Sequence, residues 1–163
     1  KKLFAYRDFS IKGEDGEIIA VASSEWMTLN LTERKAVPIP PFVLDASNTA
    51  REPAFGSAPF NRFTYPSDVE REISREFPVR FSQIDLNGHV NNVRYIEWML
   101  DSSPEILEGK KIQELELVFR SETMLGDVVT AKSVGQEENV RMHQIASAEG
   151  VTHVLARSKW MYK

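Results

Sequence analysis

The sequence predicts an α+β fold, and three observations carry this prediction. Apolar residues recur at helical spacing over one segment, residues 90–103. The segments on either side alternate apolar and polar residues with a period of two, which indicates half-buried strands. A long repeat relates the first part of the chain to the last. One long helix among several strands is typical of an α+β domain.

The predicted elements follow one another in a simple order. Residues 3–30 form a hairpin, because two alternating segments flank a turn that contains Gly16. A strand with an irregularity near its end precedes the helix, and its apolar residues are Phe77, Val79, Phe81 and Ile84. The helix has apolar residues at Val93, Ile96, Met99 and Leu100. Four strands follow it, near residues 111–123, 127–136, 139–147 and 151–162.

The repeat emerges when the chain is compared with itself at a shift of 134 residues. Between residues 7–27 and 141–161, seven of twenty-one positions are identical without a gap, where average composition gives roughly one. The identities include Trp26 with Trp160. Each copy consists of a strand, a turn with a glycine and a second strand. The repeat therefore predicts a duplicated domain of about 100 residues rather than a solenoid.

The repeat also predicts how the chain is divided. Residues 1–44 are expected to be the end of a first domain, residues 45–75 a linker, and residues 76–163 a complete second domain. Only six residues precede Arg7, whereas a helix and several strands precede the second copy. We therefore expect roughly 55 residues of an equivalent unit upstream. The alternative is a hairpin added to a single domain.

Composition excludes several classes of function. The chain has 163 residues, of which 42% are hydrophobic, and this suffices for a well-packed core. A formal charge of −4 and the lack of a basic stripe give no support to nucleic-acid binding. No apolar segment approaches the roughly 18 residues of a membrane span. Cysteine is absent, which excludes disulfides and a thiol nucleophile and fits a reducing compartment.

The candidate active site is a strand-to-helix turn that runs from Asp85 to Asn92. It combines a carboxylate, amides and the imidazole of His89, and Gly88 can adopt backbone angles closed to other residues. The N–H groups at a helix start favour developing negative charge. This combination suits attack on a carbonyl. Asx residues at such a place also cap helices, which is the alternative interpretation of Asn91 and Asn92.

Three parts of the chain resemble one protein family. Residues 85–100, DLNGHVNNVRYIEWML, resemble the active-site segment of the acyl-acyl-carrier-protein (acyl-ACP) thioesterases, hotdog-fold enzymes of plants and bacteria that release fatty acids. Residues 115–123, LELVFRSET, resemble the family's strand that ends in Arg-x-Glu before a Cys or small polar residue. Residues 7–11, Gly16 and residues 22–26 are similar to the end of the family's first domain. The resemblance implies one complete C-terminal hotdog unit and a partial N-terminal one.

The resemblance also implies a catalytic set. Carried over to this sequence, it consists of Asp85, Asn87, His89 and Glu122. In the preferred assignment Glu122 and Asn87 orient water or the nucleophile, and Asp85 is the base or the attacking carboxylate. His89 would polarise the carbonyl or assist the leaving thiol. Which carboxylate has which role stays open.

Further implications concern the surroundings of this set. The backbone N–H groups of Val90 and Asn91 would hold the oxyanion. The family often has Cys after the catalytic glutamate, and Thr123 in its place favours carboxylate-driven chemistry. No cofactor is implied. No metal site is predicted either, because no further His or Cys cluster supplies ligands beside the turn.

The implied reaction is hydrolysis of fatty acyl-ACP to free fatty acid and holo-ACP, in a bacterial cytoplasm or a plastid stroma. The implied partner is an acyl carrier protein with a phosphopantetheine-linked acyl chain, and self-association stays open. Candidate contacts for this acidic carrier or for a pantetheine phosphate are Arg94, Lys110, Lys111 and Arg120. The alternative for each is an ordinary solvated surface residue, since basic residues are commonly exposed. Two alternatives remain: an acyl-CoA thioesterase, and a non-catalytic acyl-binding module that would not need the catalytic set. The sequence does not determine the acyl chain length.

Overall fold

A computed structural model describes residues 3–45, 54, 63–67, 69–103 and 108–163. The chain forms two compact units, residues 1–62 and 63–163. Their boundary falls within the expected linker, most of which lies outside the described residues. Within the described ranges, no helix is long and apolar enough to cross a membrane.

The first unit contains an antiparallel sheet in the strand order β1-β2-β3. Its elements are β1 (Phe4–Lys12), β2 (Ile18–Asn30), β3 (Lys35–Val37) and the short helix α1 (Pro41–Asp45). Pro41 begins α1, because the first helical position has no use for the N–H group that proline lacks.

The second unit contains a five-stranded antiparallel sheet in the order β4-β6-β7-β8-β5. Its elements are β4 (Ile73–Pro78), a 3-10 turn (Phe81–Gln83), α2 (Asn92–Asp101), β5 (Lys110–Phe119), β6 (Val128–Glu137), β7 (Val140–Ser147) and β8 (Thr152–Tyr162). The helix and the four strands after it lie close to their predicted places. The predicted α+β class is confirmed.

The helix α2 packs against the sheet through its apolar face. Trp98 stacks on Phe77 at a ring-centroid distance of 6.1 Å and meets Tyr95 edge-on at 5.4 Å. The buried core residues are Val79, Val90, Tyr95, Trp98, Val129, Ala131, Ile145 and Val154. Each large apolar side chain that is fully buried contributes about 1.5–3 kcal/mol. Tertiary packing therefore supplies most of the stability of a helix of this length.

The strand before the helix differs from the prediction. β4 ends at Pro78, and Phe81 begins a 3-10 turn instead of continuing the alternation. The side-chain Oε1 of Gln83 accepts the Arg80 N–H at 2.8 Å and so closes this turn. As a result, Phe81 is 82% exposed, although its apolar character suggested a core position.

The two hairpins of the repeat have the same register. In β1 and β2, Arg7 lies opposite Ser24, and in β7 and β8 the equivalent Arg141 lies opposite Ser158. The register shifts at equivalent places as well, after Ile11 in the first copy and after Ile145 in the second. The predicted duplication of the hairpin is confirmed.

Side-chain contacts repeat along with the register. The indole N–H of Trp26 donates to Ser24 Oγ at 2.7 Å, and that of Trp160 donates to Ser158 Oγ at 2.8 Å. Both turns contain a glycine with positive φ, +85° in the first copy and +83° in the second. The same local physics therefore shapes both hairpins.

One position distinguishes the copies chemically, because His143 stands where the first copy has Phe9. His143 is 2% exposed, and its Nε2 lies 2.7 Å from Ser158 Oγ. Its Nδ1 has no hydrogen-bond partner among the described residues. Burial, with a smaller effect of Arg141, lowers the pKa of His143 from 6.5 to about 3. The folded protein therefore holds this imidazole neutral.

His143 should make the fold sensitive to acid. As the pH falls below 6.5 toward 3, the unfolded chain binds a proton at His143 that the folded chain does not bind, so the free energy of unfolding decreases. This linkage amounts to about 2 kcal/mol between about pH 7 and pH 5. The variant His143→Phe has the phenylalanine of the first repeat at this position and no imidazole to protonate. Its free energy of unfolding should therefore fall by about 2 kcal/mol less than that of the wild type between about pH 7 and pH 5. Urea midpoints at both pH values measure it, and equal acid sensitivity of the two proteins would contradict the prediction.

Candidate active site

The predicted catalytic turn is a tight hairpin. Ile84 and Val90 form an antiparallel bridge, and the Asp85 N–H donates to the His89 carbonyl at 2.8 Å. Gly88 lies at the turn with a φ of +83°, a backbone conformation that other residues rarely adopt. The hairpin therefore places Asp85 and His89 side by side at its base.

The carboxylate of Asp85 closes this turn from inside. Its Oδ1 accepts the backbone N–H groups of Asn87 at 2.8 Å and of His89 at 3.4 Å. The side-chain amide of Asn87 lies 3.5 Å from the other carboxylate oxygen. Carboxylates that bind the backbone two residues on are typical of Asx turns. Asp85 and Asn87 thus contact each other and hold His89.

The second half of the site comes from the chain that follows β5. The Val90 N–H donates to the Thr123 carbonyl at 2.9 Å, and His89 forms a bridge with Met124. This pairing brings Glu122 beside the hairpin, where its Oε2 lies 3.6 Å from His89 Nε2. The side chains of His89 and Glu122 are 33% and 52% exposed, so water reaches both.

The predicted set thus forms two contacting pairs, Asp85 with Asn87 and His89 with Glu122. The 3.6 Å separation is too long for a hydrogen bond, and the second pair is an ion pair only when His89 is protonated. The exposure of this pair places it at an open rim rather than inside an enclosed cavity. In the described part of the chain, no group of at least three His, Cys, Asp or Glu side chains is arranged to hold a metal ion.

The predicted oxyanion donors need correction. The N–H of Val90 is bound to Thr123, and the N–H of Asn91 donates to the Gln83 carbonyl at 2.9 Å. These bonds fix the two ends of the turn, and backbone donors in such positions are nearly always paired. Neither group is available to an oxyanion in this conformation. Sequence spacing could not reveal this, because the Val90 bond joins two distant segments and the Asn91 bond depends on how the hairpin between Gln83 and Asn91 folds.

The helix start has the geometry of a capped N-terminus. Asn91 is the N-cap of α2, and its side chain accepts the Val93 N–H at 3.0 Å. The Arg94 N–H donates to the Asn91 carbonyl at 2.9 Å. The capping interpretation is therefore correct for Asn91. The N–H of Asn92, the first helical residue, has no partner among the described residues.

Thr123 is anchored in the core beside the site. It is 0% exposed, so its hydroxyl is not accessible to a substrate. Burial raises the pKa of the Tyr95 hydroxyl, and the neighbouring Thr123 partly opposes that rise. Tyr95 also meets Phe119 edge-on at 5.9 Å. These contacts fasten the end of β5 to the second turn of α2.

The sequence reading missed Asp127. Its Oδ2 accepts the Met124 N–H at 2.8 Å, and its own N–H donates to the Met124 carbonyl at 3.2 Å. The Asp127 carbonyl accepts the Val79 N–H at 2.9 Å. Gly126, with a φ of +92°, lies within this turn. The signal in the sequence was the Gly-Asp dipeptide after a strand, which indicates a turn but no role in the site.

The basic residues proposed for carrier contact do not lie together. Lys110 and Lys111 begin β5, whereas the site lies beyond its other end, about 30 Å away along a strand of ten residues. Arg94 binds both carboxylate oxygens of Glu97 at 2.7 Å. Of the predicted group, Arg120 is the basic residue closest in the chain to Glu122.

Comparisons with known proteins agree with the resemblance seen in the sequence. Residues 66–162 match the family model described as the acyl-ACP thioesterase C-terminal domain, and residues 1–46 match the acyl-ACP thioesterase N-terminal domain. The palmitoyl-acyl carrier protein thioesterase of Gossypium hirsutum is 27% identical over 96% of this chain. An acyl-[acyl-carrier-protein] hydrolase of Cuphea viscosissima is 31% identical over 91% of this chain.

A solved structure supports the fold. The 12:0-ACP thioesterase from Umbellularia californica has a TM-score of 0.84 at 22% identity, over 99% of this chain and 64% of that chain. At this sequence identity the structural likeness shows the fold alone. It confirms the predicted hotdog fold. The chain spans 42% and 38% of the lengths of the two curated relatives. Because the C-terminal-domain match covers more than half of it, the chain belongs to the acyl-ACP thioesterase family.

Proposed function

We propose that the protein containing this chain hydrolyses fatty acyl-ACP and releases free fatty acid and holo-ACP. The observation that carries the proposal is the pair of His89 and Glu122, 3.6 Å apart and open to water, in a member of this family. Residues 76–163 would be the catalytic domain, residues 1–44 part of a first domain, and residues 45–75 the link between them.

In the proposed mechanism Glu122 is the general base. It accepts a proton from a water molecule, whose oxygen attacks the thioester carbon. The tetrahedral intermediate then collapses, the carbon–sulfur bond breaks, and the sulfur leaves as the thiol after taking up the proton that Glu122 accepted from water. His89 stands beside Glu122 and polarises the carbonyl or hydrogen-bonds the leaving sulfur. A positioned acid–base group typically contributes about 10²–10⁴ in rate.

Asp85 acts by positioning rather than by attack in this proposal. Both of its carboxylate oxygens face donors within the turn, two backbone N–H groups on one side and the Asn87 amide on the other. A carboxylate used in this way keeps the His89 backbone in place. This revises the sequence-based assignment, which had Asp85 as base or attacking group.

For the oxyanion, Asn92 replaces Val90 and Asn91. Its N–H is the helix-start donor that no described residue occupies, and it lies three residues after His89. Free N–H groups at a helix start stabilise negative charge. An oxyanion donor is worth about 10²–10³ in rate.

The proposed partner is an acyl carrier protein that presents the thioester on its phosphopantetheine arm. An exposed catalytic pair is accessible to a substrate that remains attached to a carrier. The Gossypium hirsutum relative is named as chloroplastic. We place the reaction where acyl-ACP is made, in a plastid stroma or a bacterial cytoplasm.

A thiol-release assay tests this function directly. The chain contains no cysteine, so a thiol reagent detects no thiol from it. The protein containing this chain should release holo-ACP from acyl-ACP faster than free CoA from the matching acyl-CoA. A preference for acyl-CoA would indicate an acyl-CoA thioesterase. Binding of acyl-ACP without thiol release would indicate a non-catalytic module.

His89→Ala and Glu122→Gln should each lower kcat by about 10²–10⁴, because each removes half of the reactive pair. The losses should not add in the double variant, since both groups act on one transition state. Thr123→Ala is the matched control and should change kcat little, because Thr123 is buried. Circular dichroism checks folding. A fully active double variant, or loss of activity in Thr123→Ala alone, would overturn the assignment.

Asp85→Asn and Asp85→Ala separate positioning from attack. An asparagine oxygen can accept the same backbone N–H groups as Oδ1, so Asp85→Asn should keep most of the activity. Asp85→Ala loses the acceptor and should lower kcat by about 10²-fold or more. Steady-state kinetics of both variants measure the difference. Equal loss in the two would show that the carboxylate itself reacts.

Asn92→Pro tests the oxyanion donor by removing one N–H group. Proline is favoured at the first helical position. The preceding residue Asn91 has φ −61° and ψ 135°, which suits a residue before proline. The fold should therefore survive, while kcat falls about 10²–10³-fold. Asn92→Ala keeps the N–H and is the control. Unchanged kcat in folded Asn92→Pro would exclude this donor.

A further inference from the structure

We infer that Asp127 is a positioning residue of the candidate site, whose carboxylate sets where Glu122 stands relative to His89. The inference rests on the proposed function of that pair. Asp127 does not act on the substrate in this account. It acts through the backbone that carries Glu122.

Asp127 closes the turn that follows Glu122. Asp127 Oδ2 accepts the Met124 N–H at 2.8 Å, and the Asp127 N–H returns to the Met124 carbonyl at 3.2 Å. These two bonds close the turn from both sides. Gly126, at φ +92°, permits the reversal. Only Thr123 lies between Glu122 and Met124, whose N–H makes the first hydrogen bond of this turn, so the turn limits where the Glu122 backbone can lie.

This turn contacts the hairpin that carries Asp85 and His89. Met124 forms the bridge with His89, so the residue held by the Asp127 carboxylate pairs with the catalytic imidazole residue. The Val79 N–H also donates to the Asp127 carbonyl at 2.9 Å. Val79 begins the segment that leads through the 3-10 turn to Asp85. Asp127 therefore joins the two chain segments that carry the site.

The pair of His89 and Glu122 is sensitive to displacement. His89 Nε2 and Glu122 Oε2 are 3.6 Å apart, so no direct hydrogen bond between them fixes their separation. A misplacement of about 1 Å in a catalytic site can cost about 10²-fold in rate. Opening the turn at Asp127 would shift Met124 and Glu122 together. Catalysis should therefore respond more strongly than substrate binding.

A purely structural carboxylate offers the contrast. Asp15 Oδ1 accepts the Glu17 N–H at 3.1 Å in the turn of the first hairpin. Like the Asp127 carboxylate it closes a turn by accepting a backbone N–H, although the donor lies two residues after Asp15 and three residues before Asp127. This carboxylate holds no catalytic segment. Asp15→Ala is therefore the matched control for the loss of a turn-closing carboxylate.

The experiment uses the whole protein that contains this chain, with the variants Asp127→Ala, Asp127→Asn, Asp127→Glu and Asp15→Ala. Asp127→Ala should lower kcat about 10–100-fold and change KM much less. Asp127→Asn keeps an acceptor oxygen and should restore most of kcat. Asp127→Glu keeps the charge but displaces the acceptor, so kcat should fall although the protein folds. Asp15→Ala should lose thermal stability with kcat unchanged.

Two-dimensional NMR of the His89 ring provides a readout that does not depend on activity. The His89 ring signals should shift in Asp127→Ala in the same direction as in Glu122→Gln, and stay in place in Asp15→Ala. The inference would be overturned if the His89 signals did not shift in Asp127→Ala and folded Asp127→Glu kept the wild-type kcat. Equal inactivity of Asp127→Asn and Asp127→Ala would also overturn it. A wild-type protein without hydrolase activity would instead refute the proposed function, while the NMR comparison would still decide the role of Asp127.

Discussion

The hydrogen bond from the Val90 N–H to the Thr123 carbonyl, 2.9 Å long, is the interaction on which the candidate site depends. It pairs the chain that enters α2 with the chain that leaves β5. The bridge between His89 and Met124 extends this pairing by one step. Without it, Glu122 would be a solvent-exposed glutamate at the end of a strand. With it, the carboxylate and the imidazole of His89 lie within one site.

The core beneath this pairing explains why it holds. Val90 is itself buried among the core residues, and Tyr95 from α2 reaches both Phe119 and Thr123. The helix, the end of β5 and the catalytic hairpin therefore pack as one block. The candidate residues His89 and Glu122 stand at the rim of that block, where both side chains are exposed to solvent. Apolar packing stabilises the block, and the candidate residues His89 and Glu122 lie in two connecting segments at its surface.

The repeated hairpins belong to the framework of this chain and do not contain the candidate catalytic residues. The register of the two hairpins agrees, and so do their Trp–Ser hydrogen bonds. None of the candidate catalytic residues belongs to the repeated hairpin, because they lie before β7 in the chain. His143 shows how a repeated position can still diverge, since a buried imidazole replaces an exposed Phe9. The duplicated hairpin thus belongs to the framework of the chain, and the candidate site lies outside it.

The sequence by itself determined the fold class, the long helix, the repeated hairpin and the candidate catalytic residues. These follow from local periodicity and from the resemblance of short segments, which need no knowledge of the third dimension. The Asn91 cap could also be anticipated, since the side chain bonds to its own neighbours. The early end of β4 could not, because the Gln83 side chain competes with the strand.

Only the tertiary structure decided which groups are near one another and which are already engaged. It showed that the N–H groups of Val90 and Asn91 are bound to distant carbonyls, and that Lys110 and Lys111 begin the strand whose other end leads to the site. It also showed that Asp127 binds both Met124 and Val79, contacts that a Gly-Asp dipeptide does not reveal. The physical reason is the same in each case: a hydrogen bond or an ion contact between residues far apart in sequence depends on strand register, which packing of the whole unit fixes.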